Sequence, residues 1–212
     1  MKLPVLSAAA LLLAGCTNMV VSDRPLFTQA DAKGAPSFRQ GVWGSPDAGC
    51  AVDLKTPLDT WPKCAHGDVM GPDGPIMPDP AIKAVLAAGD PVIVQLVLPD
   101  ALREASKDLP GADASVFYGA LKPVQTDDRG QVTVFEGWTV QCGPPPSTSL
   151  PAGKAEEGDA VQRVTDRPLP GLKMVGDHCL ATRPATVRAA AAASRAWQSE
   201  PHVTRWIRDG RN

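Results

Sequence analysis

Aromatic side chains are scarce in this chain, which has four Phe, one Tyr and five Trp among 212 residues, and histidine is scarcer, with three. No apolar run approaches the ~20 residues that a helix needs to cross a bilayer, so a permanent transmembrane anchor is not expected. Catalytic signatures are missing too. The nucleophile elbow, the phosphate loop, the dinucleotide glycine fingerprint, the zinc-protease helix and the closely paired redox cysteines do not occur. No catalytic residue is assigned, and no cofactor is expected. Nor is there an excess of positive charge: the net charge of −2 argues against a nucleic-acid partner, whose footprint is a strongly basic surface.

What the chain does have is an N-terminal address. Lys2 precedes an apolar run from Leu3 to Gly15, interrupted by Pro4 and Ser7 and ending in small residues. A charged start, a short apolar core and small residues before a cut site are the parts of an export signal. Leu13-Ala14-Gly15-Cys16, which closes this run, resembles the lipobox of bacterial lipoproteins; the resemblance covers residues 1–18. It implies that residues 1–15 are removed and that Cys16 is lipidated, so that acyl chains worth about 0.8 kcal/mol per buried methylene hold the protein to a lipid bilayer. In that family an aspartate after the cysteine favours the inner membrane. Thr17 stands there instead, which implies the outer membrane, facing the periplasm. An ordinary secretory signal that happens to contain a cysteine is the plainer alternative.

Loss of residues 1–15 leaves 197 residues and a net charge of about −3, a size suited to one domain with its own core. Four cysteines remain after Cys16: Cys50, Cys64, Cys142 and Cys179. An even count in an exported chain reads as disulfides, and of the three possible pairings loop closure favours Cys50 with Cys64 and Cys142 with Cys179. The competing arrangement is a zinc site using His66 and His178. Tight paired spacing, the usual mark of structural zinc, is lacking, and no metal is assigned.

The hydropathy pattern predicts an α+β fold, a single β-rich domain over 37–212 with one C-terminal helix on an antiparallel or mixed sheet. Residues 16–36, with Pro25, Gly34 and Pro36, read as a lipidated tether whose reach is shortened if Phe27 docks onto the domain. A first strand is expected over 37–43, and a strand followed by a stapled loop over 50–64. Residues 66–80, with four prolines, read as a loop. Asp79, Pro80 and Gly89 mark a short helix, with a strand over 83–87 as the alternative. The β-branched run 92–98 reads as a buried central strand in which Gln95 needs a hydrogen-bond partner. A helical turn follows over 101–107.

The clearest signal is a hairpin whose arms, 116–121 and 131–142, flank Asp127-Asp128-Arg129-Gly130. Alternation points Cys142 at the core, and Glu136 breaks the alternation. Either a bulge at Gly137 releases it to solvent or it is a buried functional carboxylate. Residues 143–160 form a surface loop by composition. Residues 184–199 are an alanine-rich helix with a stripe of Val187, Ala190, Ala191, Ser194 and Trp197, and 202–208 fit a closing strand or a short helix.

The leading functional expectation is a non-catalytic envelope lipoprotein that contacts another envelope protein or a cell-wall polymer. Arginines crowd residues 183–212, where anionic lipid or polymer is a candidate contact. A small-molecule carrier using Trp43, Trp61 or Trp138 is the second expectation. A hydrolase is the third, and it requires His66 or His178 beside a carboxylate in a cleft.

Overall fold

A computed structural model describes residues 18–46, 50–62, 64–77, 79–105, 114–145, 165–197 and 202–210. In chain order its strands are β1 (Val20–Ser22), β2 (Gly41–Pro46), β3 (Ala65–Gly71), β4 (Gly74–Pro75), β5 (Lys83–Ala87), β6 (Val92–Val97), β7 (Val116–Thr126), β8 (Val132–Thr139), β9 (Lys173–Val175), β10 (His178–Leu180) and β11 (His202–Arg208). One helical turn and a half spans Asp100–Ala105, and the main helix is Pro184–Ser194, continued by a 3-10 turn over Arg195–Trp197. The fold is α+β and β-rich with mixed pairing, as the alternation predicts. Its residues form two compact units interleaved in sequence: Met1–Leu26, Val97–Tyr118 and Thr139–Trp197 make one, while Phe27–Leu96, Gly119–Trp138 and Gln198–Asn212 make the other.

In the first unit, β1 is a central strand. It pairs in parallel with β10, Val20 opposite Cys179, and antiparallel with the start of β7, Val21 opposite Phe117. β9 closes this side by pairing with β10. Three residues suffice for β1 because both its edges are bonded and Val20, Val21 and Ser22 are all buried. The helix buries Thr186, Val187, Ala190, Ala191 and Ser194, the stripe expected from its period, and starts with proline at its first turn. Trp197, expected as its anchor, is only half-buried. Ser194 instead ties the helix down by accepting the Gln141 N–H at 2.8 Å.

In the second unit the strands run β4-β3-β2-β11-β8-β7, with β6 on β7 and β5 on β6. Its core gathers Phe38, Trp43, Met70, Leu86, Val92, Leu121, Val132 and Phe135. Phe38 meets Trp43 and Phe135 edge-on at 5.9 Å, a geometry favoured by the ring quadrupoles. The hairpin turn is built by Asp127, whose carboxylate accepts the Arg129 and Gln131 N–H groups at 3.0 and 2.9 Å, with Gly130 at φ 74°.

Several expectations give way here. The segment read as a tether is folded from Asn18 onward: it contains β1 and a 3-10 turn over Gln29–Ala32, and Phe27 is fully buried. Residues 66–80 are not a loop but carry the β3–β4 hairpin, because Gly71, Pro72, Gly74 and Pro75 gather at its turn while the main chain of Ala65–Met70 pairs with β2. Cys50 to Leu54 form no strand; among the described residues that loop holds a turn closed by the Thr56 N–H on the Asp53 carbonyl and a 3-10 turn at Leu58–Thr60. Over 79–89 the strand alternative prevails, as β5, and the Asp79 carboxylate caps a turn at the Ala81 N–H. Finally, β8 meets β11 in unbroken register from Val134 to Gly137, so no bulge forms at Gly137 on that edge. The irregularity falls in β11, between Trp206 and Arg208. Most of the 143–160 loop and residues 198–199 lie outside the described residues.

Candidate functional site

Cys16, with the signal before it, lies outside the described residues, and the first described residue is Asn18. Asn18 is 4% exposed and sits at φ 68°, a left-handed backbone that asparagine tolerates better than most side chains. All its polar groups are engaged. Its N–H donates to the Asp177 carbonyl at 2.5 Å and its carbonyl accepts the Cys142 N–H at 2.8 Å. Its side-chain oxygen accepts the Thr165 N–H at 3.1 Å, and its amide nitrogen donates to the Gly143 carbonyl at 3.4 Å. One residue thus ties together the segments at 142–143, 165 and 177.

The next residue is clamped by a disulfide. Cys142 and Cys179 are bonded, with Cα atoms 5.8 Å apart, and their sulfurs lie 3.2 and 3.7 Å from the Met19 carbonyl oxygen. That oxygen also accepts the Cys179 N–H at 3.0 Å. The second disulfide, Cys50–Cys64, closes the loop that packs against β2 and β3, with Cα atoms 5.7 Å apart. Both pairs are the near-neighbour pairing expected from loop closure. With all four thiols oxidised, the zinc arrangement loses its thiolate ligands.

No family model, no curated protein and no solved structure matches this chain. What the protein does is therefore argued from its own residues.

His178 is 4% exposed, and its Nδ1 lies 3.2 Å from an Asp177 carboxylate oxygen. The pair has the chemistry of an oriented imidazole, but its burial bars a substrate, and the neighbouring Cys179 is held in a disulfide. His66 lies on β3 opposite Ser45, with Asp68 two residues on and opposite Trp43. His66 belongs to the second compact unit and His178 to the first. Trp43 is fully buried in the core and Trp138 nearly so. Trp61 lies over the paired glycines Gly44 and Gly67, where a Cβ would stand 3.0 and 2.9 Å from its ring. None of the three lines the groove of about 770 Å3 in the second unit, whose apolar walls are Met70, Ile76, Met77, Ile82 and Val85.

In the arginine-rich end, the side chains of Arg208 and Trp206 are engaged within the second unit. Arg208 donates to the carbonyls of Leu54 and Thr56 at 3.1 and 2.8 Å, and Arg39 stacks 3.5 Å over Trp206. Glu136 is partly buried on β8, opposite Val203 of β11. The residues that sequence reasoning missed are Asn18 and the buried pair Ser22 and Tyr118, whose hydroxyls are 2.6 Å apart. Only the apolar Val20-Val21 pair hinted that this stretch would fold.

Proposed function

We propose that the protein is a lipoprotein of the bacterial envelope, acylated at Cys16 and facing the periplasm from the outer membrane. Its folded part serves a non-catalytic role, contacting another envelope protein or a cell-wall polymer. The observation that carries this is Leu13-Ala14-Gly15-Cys16 at the end of an export-type apolar run, with Thr17 in place of an acidic residue. Two disulfides support it, because such bonds persist in an oxidising compartment. Among the described residues no helix is long and apolar enough to cross a membrane. Exposed Ile76 and Val124 in the second unit offer apolar contact to a partner.

Replacing Cys16 by Ser in the native host and fractionating the cells tests the anchor. The expected outcome is loss of labelled fatty acid from the protein and its release from membranes. Retention of Cys16→Ser protein in the membrane fraction would refute it. The groove beside β4 and β5 favours a second reading, the binding of an apolar small molecule. Line broadening confined to the Met70 and Met77 methyl resonances on titration with an apolar probe would support that reading over the first.

A further inference from the structure

Acylation at Cys16 has a geometric consequence once Asn18 is fixed. Two Cα–Cα steps separate the two residues, so the path from the lipidated cysteine to Asn18 spans at most roughly 7 Å. A bilayer's polar headgroup layer is about 5–7 Å thick on each side. Asn18 cannot act as further tether, because its backbone and side chain are bonded to Cys142, Gly143, Thr165 and Asp177, and the Cys142–Cys179 disulfide closes against Met19. The freedom of a lipid-linked domain to stand clear of its membrane is therefore absent from this chain.

We infer that the surface of the first unit next to Asn18, where Asp166, Arg167 and part of Asp177 are exposed over the buried Gly143 and Thr165, rests directly on the headgroups of the membrane that carries the lipid. The occupant of this face is that bilayer, and the inference rests on the acylation proposed above. The face carries charge of both signs: Arg167 and Asp166 stand out from it with side chains 63% and 61% exposed, and Asp177 borders it. Contact is imposed by the short covalent link, not by a basic patch, so it does not require anionic lipid. Arg167 is held in place by its own N–H, which donates to the Thr165 hydroxyl at 3.1 Å beside the Asn18 amide contact.

The test uses the full mature chain, purified with its lipid and reconstituted in phosphatidylcholine vesicles, with p-benzoylphenylalanine in place of Arg167 as a photo-crosslinker. A second form carries a flexible glycine-serine spacer of about 20 residues between Thr17 and Asn18, whose root-mean-square span is about 25 Å. Intact mass reports acylation of Cys16 in each form, and near-ultraviolet circular dichroism reports the fold. The expected result is a lipid adduct in the native-length form that falls several-fold with the spacer. No adduct at position 167 in acylated, native-length protein, or a yield that the spacer leaves unchanged, overturns the inference while the anchor stands. A mass without acyl groups on Cys16 overturns the anchor, and the inference falls with it.

Discussion

At the scale of single residues, the buried polar groups decide where the chain is held. Gln95 is 1% exposed, and its amide behaves as a length of strand: the oxygen accepts the Phe27 N–H and the nitrogen donates to the Phe27 carbonyl, both at 2.9 Å. Without it two buried backbone groups would be orphaned, at about 1–3 kcal/mol each. Tyr118 is the protein's one tyrosine. Burial raises it from 10.0 to about 12, against a smaller downward pull from hydrogen bonds with Ser22 and Leu26. Because the folded state holds this proton more tightly than the unfolded one, the contribution to stability is complete below about pH 10 and is lost as pH rises from 10 toward 12. Tyrosinate absorbance reads this single group directly. The midpoint is expected near 12 in the folded protein and near 10 in denaturant, and a native midpoint near 10 would contradict the burial argument.

At the scale of elements, β3 shows how packing overrides composition. Its glycines are poor strand formers, yet Gly67 faces Gly44 across the ladder and the pair makes a floor for Trp61. The Trp61 indole N–H donates to the Thr56 carbonyl at 3.1 Å, so the disulfide loop is pinned over the two strands. A Cβ at position 67 would run into Leu58 and the Trp61 ring. Gly67→Ala is expected to cost about 1–3 kcal/mol by urea denaturation, from overpacking. In a Trp61→Ala background that cost should shrink by about 0.5 kcal/mol or more, since the rigid ring is gone and the nearer Leu58 methyl, at the end of a flexible side chain, can turn aside. Strictly additive losses in this double-mutant cycle would mean that the ring does not rest on the glycine pair.

At the scale of the whole molecule, each compact unit carries one disulfide, and the two close loops of different length, 14 and 37 residues. Loop-closure entropy assigns about 3 kcal/mol to the first and about 4 kcal/mol to the second. The Cys142→Ala, Cys179→Ala pair is therefore expected to lower the denaturation midpoint more than the Cys50→Ala, Cys64→Ala pair does. The reverse order would show that docking of the 50–64 loop outweighs chain entropy. The near-neighbour pairing, the 116–142 hairpin, the 92–97 strand and the C-terminal helix were legible in the sequence, because each follows from local periodicity, turn chemistry or loop length. The proposed export signal and the role proposed for Cys16 rest on the sequence alone. Only the tertiary structure decided that Val20–Ser22 is a central strand, that residues 65–75 pair as a hairpin, and that Asn18 is locked two residues from Cys16. The first and last depend on pairing and hydrogen bonds to distant segments of the chain, the second on the ladder with β2, and no local pattern encodes such a partner.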